Sequence, residues 1–364
     1  MKPKLLYFLF NQPIAKRNIE RFYLNKFKNK NIKIKVINFF NQKKIRNNNF
    51  QYLNFRDNKI KIIKDAINEK PKYYVDITNK TFIEILFQRM LFFLKSKKIK
   101  IDIGLIPSQN IKYHLLEYHF KNKNYFNFFY QFIKRAFYKI YLKIFSPPIK
   151  KSFVSGKIGF SIAQKRGDNS IIKTHNLDYD IYLKEKNKKK IKKKYILYID
   201  QAFEDSIDLK MDRMQLNKID IFNKKIQVFF KLFKNKNIII AGSDRRNRKK
   251  KIFKQKTIYN KTCELVKNSS LVVGHNSTAL QYATLFSKPI LLVSSNELKT
   301  IPAIHENILN FKKLLKCNYQ ELELINSKIN YKINKKLYSN YVKNYIKEKI
   351  DNKNFFEIFI QHIN

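Results

Sequence analysis

Leu271-Val-Val-Gly-His-Asn-Ser-Thr-Ala-Leu-Gln-Tyr-Ala-Thr-Leu-Phe-Ser-Lys-Pro-Ile-Leu-Leu-Val293 is the stretch whose reading decides the fold. A short apolar run at 271–273 meets Gly274-His275-Asn276-Ser277-Thr278, and a helical pattern follows over 277–286. After Lys288-Pro289 a second apolar run fills 290–293. Strand, helix and strand in this order make a βαβ unit, whose strands lie parallel in one sheet. Gly274 permits a tight turn and close backbone approach, and Asn276 or Ser277 is suited to cap the helix. The amides of the first helical turn, with the hydroxyls of Ser277 and Thr278, form a ready anion site. In open α/β sheets the carboxyl ends of the strands are where ligands bind.

Outward from this unit the same rhythm continues. Apolar runs at 195–199 and 237–241 read as strands, with a helix over 213–234 between them, and the tail from 332 onward reads as one or two helices. The first half is similar in texture: strands at 4–10, 32–39 and 72–77, and an amphipathic helix at 81–95. A length of 364 residues exceeds what one core usually fills, so two domains are expected. The boundary falls at the basic run 184–194, Lys-Glu-Lys-Asn-Lys-Lys-Lys-Ile-Lys-Lys-Lys. The expected division is 1–190, 191–345 and a C-terminal helix at 346–364.

Lys and Arg number 77 against 27 Asp and Glu, a formal net charge of +50, which favours phosphate-bearing partners. The lysines are spread along the chain among recurrent Asn, Ile and Phe, so charge alone identifies no partner. Cys263 and Cys317 lie far apart without a C-x-x-C spacing, which argues against a disulfide framework or a zinc site and fits a reducing compartment. The apolar run at 4–10 is too short for a signal peptide, and no uncharged run of 18 residues is present. One segment stands out. Residues 124–145 place aromatic and aliphatic residues at helical spacing with Lys134, Arg135, Lys139 and Lys143 and no acidic residue. Such a helix either packs on the sheet with its lysines in water or lies in a membrane interface with its rings among the headgroups.

The run 272–293 resembles the donor-binding βαβ unit of GT-B glycosyltransferases, close to capsule-biosynthesis and bacterial sialyltransferase-like proteins. Tyr195–Gln201 resembles the first strand of that domain, with Asp200 at its tip, and 174–183 resembles the segment before the interdomain crossing. The resemblance spans roughly residues 170–300. It implies an α/β fold of two Rossmann-like domains facing across a cleft, with a C-terminal helix packing back on the first domain. It implies donor-binding roles for Gly274, His275, Asn276, Ser277 and Thr278, with a nucleotide sugar as substrate and no separate cofactor or metal. One departure is plain. Related sialyltransferases have a strand ending in His-Pro where this chain has Ile238-Ile-Ile-Ala-Gly-Ser-Asp-Arg-Arg246. Ser243 stands there, and Arg245 or Arg246 is left to pair with phosphate.

Direct displacement needs a base for the acceptor hydroxyl, which in the resembling enzymes comes from the first domain. Asp76, His175 and Asp178 are the candidates, each at or near an apparent strand end. Asp178-Tyr179-Asp180 is formally D-x-D, but its apolar flanks read as an ordinary strand rather than a metal site. Gly156-Lys-Ile-Gly159 matches a four-residue nucleic-acid loop too short to carry weight, and there is no phosphate-loop or dinucleotide fingerprint. The expected function is therefore a glycosyltransferase of hexosyl or sialyl type. It would move sugar to a surface polysaccharide or lipid-linked glycan, with no specific nucleic-acid partner. Its expected place is the cytoplasm, peripheral on the inner face of the plasma membrane. The alternatives are another enzyme of this fold, an epimerase or polyol-phosphate transferase, and a binding protein without catalysis.

Overall fold

The computed structural model describes residues 4–14, 16–40, 45–78, 81–102, 105–107, 116, 118–120, 123–189, 195–206, 209, 216, 218–233, 236–243, 252–324, 329–348 and 353–363. Two sheets organise them. The first has seven strands in the order β3-β2-β1-β4-β5-β6-β7, and the second six in the order β10-β9-β8-β11-β12-β13. The strands of the first are β1 Lys4–Phe10, β2 Ile32–Asn38, β3 Gln51–Asn54, β4 Tyr73–Ile77, β5 Lys97–Asp102, β6 Ile149–Ser155 and β7 Ile171–Thr174. Those of the second are β8 Ile196–Ile199, β9 Ile238–Gly242, β10 Lys256–Tyr259, β11 Leu271–Gly274, β12 Ile290–Ser294 and β13 Asn318–Glu321. All pair parallel. In both sheets the order reverses beside the first strand, at β1/β4 and at β8/β11.

The chain divides into two compact units. One holds Met1–Ile103, Arg135–Asp178 and Lys347–Asn364, the other Gly104–Lys134 and Tyr179–Ile346. In the first unit β1 is apolar on both faces, as a parallel strand covered on both sides must be. Leu6, Phe8 and Phe10 belong to one buried cluster and Tyr7 and Leu9 to another, which is the period-two alternation of a strand. The C-terminal helix Phe355–Ile363 completes the first cluster: Phe359 lies 4.9 Å from Phe153 and 5.8 Å from Phe27, centroid to centroid. It packs on the first unit, as the resemblance implied. The helices Lys59–Glu69 and Phe82–Phe93 cover the other face through Ile62, Ala66, Phe87 and Leu91. In the second unit β8, β11 and β12 are buried along their whole length.

The unit boundaries differ from the expected 190/191. The division falls within the helix Leu177–Lys186, ahead of the basic run, because Tyr182 packs on Phe286 and the Lys267 ammonium binds the carbonyls of Glu185 and Lys188. Residues 104–134 go with the second unit, where Gln281 Nε2 donates to the Leu105 carbonyl at 2.9 Å. The D-x-D segment, expected as a strand, lies on that same helix, where residues two apart do not share a face. Gly156-Lys-Ile-Gly159 opens the helix Gly156–Arg166 and is no loop. Of the helix expected over 213–234, Ile219–Phe230 is helical and is followed by a single 3₁₀ turn, while 213–215, 217 and 234 lie outside the described residues.

Candidate functional site

The segments that follow β8 and β11 meet at the order reversal of the second sheet. Asp200 directly follows β8 and is buried; its Oδ1 accepts the Ala202 amide at 3.0 Å, closing a turn in which Ala202 takes φ +46°. Between them Gln201 reaches across to Asn276. Gln201 Nε2 donates to Asn276 Oδ1 at 2.8 Å, and the Asn276 amide donates to Gln201 Oε1 at 3.1 Å. This reciprocal pair spans 75 residues of sequence and braces the turn after β11. Gln201 was not among the residues nominated from sequence. Its position two residues past a strand end was the available signal.

The turn departs from the expected plain helix start. Ser277, Thr278 and Ala279 accept i→i+3 bonds from Leu280, Gln281 and Tyr282, and the α-helix proper is only Leu280–Leu285. Asn276 does not cap it, being held by Gln201, and Ser277 Oγ accepts the Ala279 amide at 3.2 Å. The expected helix-dipole site is therefore replaced by a tight turn. Asn276, Ser277 and Thr278 are partly buried on it. The amides of Ser277 and Thr278 make no hydrogen bond among the described residues, and both hydroxyls retain a proton to donate. Gly274 leaves little room beside it: a Cβ there would lie 3.2 Å from Leu280 Cδ2, which would have to shift by a few tenths of an ångström.

His275 is removed from the exposed face of the turn. It is 0% exposed, ringed by Tyr198, Phe203 and Phe222 at centroid distances of 5.5–5.7 Å. Nδ1 donates to the Val293 carbonyl at 2.6 Å, so the neutral ring accepts the Tyr198 hydroxyl on Nε2 at 3.0 Å. Burial holds its pKa down at about 4 from an ordinary 6.5, against the opposing pull of Val293 and Asp200. The unfolded chain thus binds the proton more readily, so stability is full above pH 6.5 and is lost as pH falls toward 4. The expected loss is about 3 kcal/mol. Urea unfolding across that window checks it: His275→Gln should flatten the slope, and an unchanged slope would assign the titration elsewhere.

Of the other donor-side nominations, Ser243 follows β9 directly, half-buried, while Arg245 and Arg246 lie outside the described residues. Outside the nominated residues, His305 sits in the first turns of the helix Pro302–Leu315, with Nδ1 3.4 Å from Ser294 Oγ at the end of β12.

The three nominated bases are each committed elsewhere. Asp76, near the end of β4, is buried with Lys98 Nζ 2.8 Å from Oδ2 and Thr78 donating its amide and hydroxyl to Oδ1 at 3.1 and 2.7 Å. Burial raises its pKa, but Lys98, Lys100 and these hydrogen bonds outweigh that and hold it at about 2, too acidic to take a hydroxyl proton efficiently. His175 is buried between the carbonyls of Asn176 at 3.0 Å and Lys353 at 3.2 Å, beside its antiparallel bridge to Lys347. Asp178 is buried against Arg21 at 2.9 Å. Sequence reading took these as strand-end residues open to substrate, whereas they tie remote parts of the first unit together.

A carboxyl the sequence reading passed over lies at the β1/β4 reversal. Glu84 Oε2 accepts the Thr81 amide at 2.7 Å and Asn11 Nδ2 at 3.4 Å, the capping box of the helix Phe82–Phe93. Burial holds its pKa above the ordinary range despite those bonds. Thr81-x-x-Glu84 directly after a strand was the signature that could have drawn attention to it. Glu84 is 1% exposed and so closed to an acceptor as it stands.

No known family profile matches the chain. No curated protein matches it. Its fold is similar to that of solved structures. A UDP co-structure of S. aureus MnaA aligns at 14% identity with a TM-score of 0.54, covering 100% of this chain and 96% of that one. The wall teichoic acid polymerase TagF aligns at 10% identity with a TM-score of 0.51, covering 100% and 89%. A Methanocaldococcus jannaschii UDP-GlcNAc 2-epimerase with UDP-GlcNAc and UDP gives 14% identity and a TM-score of 0.49, covering 93% and 98%. At these identities the likeness is one of fold. The fold is GT-B-like: two parallel sheets of seven and six strands with alternating helices.

Proposed function

We propose that this chain is a glycosyltransferase that draws a sugar from a nucleotide-sugar donor and passes it to a surface polysaccharide or lipid-linked glycan. The carrying observation is the Gln201-braced turn 274–278, which sets two unengaged amides and two hydroxyls at the carboxyl end of β11, beside the β8/β11 reversal. Strand ends at such a reversal are the usual ligand position in α/β sheets. In this reading the Ser277 and Thr278 amides and hydroxyls receive the donor's diphosphate. They stabilise the charge that develops on it as the anomeric carbon–oxygen bond breaks. Asn276 orients the turn through Gln201, and His275 supports it from beneath as a neutral, fully bonded ring.

A thermal-shift series with UDP, CMP, GDP and CDP tests the reading, with UDP first because the S. aureus neighbour was solved with it. A nucleotide at about a hundredfold excess over its Kd stabilises by about 2.7 kcal/mol. One nucleotide should raise the midpoint, and Ser277→Ala with Thr278→Ala should abolish the rise. No rise with any nucleotide sinks the proposal.

A second reading has its own observation. With Asp76, His175 and Asp178 all held by internal partners, the chain would bind a nucleotide sugar without turning it over. Binding followed by sugar transfer or donor hydrolysis favours the enzyme. Isomerised donor formed without acceptor would mark an epimerase. Binding with no product favours the second reading.

A further inference from the structure

The first unit carries an apolar surface that is left exposed among the described residues. The helix Phe82–Phe93 buries Glu84, Ile85, Phe87, Gln88 and Leu91 against the sheet and leaves Phe82, Ile83 and Leu86 about half exposed. Within the same unit, the Arg135–Phe145 part of the long helix Tyr125–Phe145 leaves Phe137, Ile140 and Ile144 exposed. The two helices are fastened together: the Tyr141 hydroxyl donates to the Phe82 carbonyl at 3.1 Å, and the Phe82 and Tyr141 rings lie 4.5 Å apart. At the far end of the first helix Phe93 is 70% exposed, with the Arg89 guanidinium 5.0 Å from its ring centroid. Single exposed apolar residues are ordinary, but a joined run of this kind on two adjacent helices is not.

The exposed rings and the charge beside them, taken together, decide what fits it. The only acidic residue on either helix is Glu84, which is buried in its capping box, while Arg89, Lys139 and Lys143 border the apolar side chains. A protein groove complementary to apolar side chains requires no such one-sided charge. A bilayer with anionic headgroups does, since rings enter the acyl boundary while long cationic chains stay at the phosphate level. No helix among the described residues is long and apolar enough to cross a membrane, so the surface would lie in the interface plane.

We propose that the joined helices Phe82–Phe93 and Arg135–Phe145 dock the first unit onto an anionic lipid surface. The sequence pointed only to the aromatic stretch 124–145. The second helix and the fastening at Phe82 come from the structure, and the proposal stands independently of the nucleotide-sugar reading.

The test is flotation of the full chain with vesicles of phosphatidylcholine alone and of phosphatidylcholine mixed with phosphatidylglycerol. The expected result is flotation with the mixed vesicles at low salt, lost as salt rises, and little with the neutral ones. Phe137→Ser with Ile140→Ser should reduce the floated fraction about tenfold or more. Lys139→Glu with Lys143→Glu should reduce it comparably and flatten its salt dependence. Both pairs should keep the wild-type thermal midpoint, because all four side chains are exposed. Absence from the mixed vesicles, or equal flotation of the variants, overturns the proposal. So does a solution dimer that the apolar pair of substitutions converts to monomer without any vesicle binding, since a second copy would then cover this face.

Discussion

Lys98→Met is expected to destabilise the chain by about 3–5 kcal/mol, a large share of a typical domain's 5–15 kcal/mol. The Lys98 ammonium is buried 2.8 Å from Asp76 Oδ2 and 2.5 Å from Gln88 Oε1. Removing it leaves the Asp76 carboxylate in the sheet interior with Thr78 as its remaining hydrogen-bond donor and its nearest counter-charge gone. The cost comes from the stranded charge and not from lost attraction, so Asp76→Asn combined with Lys98→Met should recover most of it. Denaturant unfolding of the two variants against wild type separates these outcomes. A cost for Lys98→Met below about 1 kcal/mol would mean that Asp76 is solvated, and would restore it as a candidate base.

The second large effect concerns the last helix. Phe359→Ala is expected to cost about 3–5 kcal/mol. The ring is 1% exposed and meets Phe8, Phe27, Phe153 and Phe355 at centroid distances between 4.9 and 6.5 Å. These partners come from β1, the 3₁₀ turn Phe27–Lys30, β6 and the helix itself, so the void would open where four segments converge. Gln361→Ala, exposed on the same helix, should change stability by less than about 0.5 kcal/mol. Comparable small effects for both would mean that the helix is a loosely held appendage rather than part of the first unit's core.

Several local features are legible in the amino-acid order alone. The apolar runs at 4–10 and 271–273 form β1 and β11 nearly residue for residue, because a strand buried on both faces is written as a nearly continuous apolar stretch, and 32–39 forms β2 with Lys33 and Lys35 interleaved among its apolar residues. The helix at 81–95 is marked by its Thr81 cap and apolar spacing. Other features mislead. Asp178-Tyr179-Asp180 sits between apolar residues that suit a strand or a helix equally, and the helix prevails because Leu177 and Tyr182 both find buried positions from it. The helix after β11 starts later than its sequence suggests. Asn276 and Ser277 are good capping residues, but pairing with Gln201 claims Asn276 first.

By itself, then, the sequence determined that this chain folds as parallel α/β with a Gly-His-Asn-Ser-Thr turn at a strand's carboxyl end, and that an aromatic, wholly basic helix follows β5. These follow from propensity, periodicity and turn chemistry, which act over a few residues. Only the tertiary structure decided which of the polar residues are open to a ligand. His275, Asp76 and Asp178 look alike in sequence to any exposed strand-end residue, yet each is closed by a partner from elsewhere: Tyr198, Lys98 and Arg21. Arg21 and Asp178 are 157 residues apart, and the Gln201–Asn276 brace spans 75. Burial and ionisation are set by such distant contacts, and local sequence carries no record of which remote side chain will arrive to desolvate a carboxylate or neutralise it.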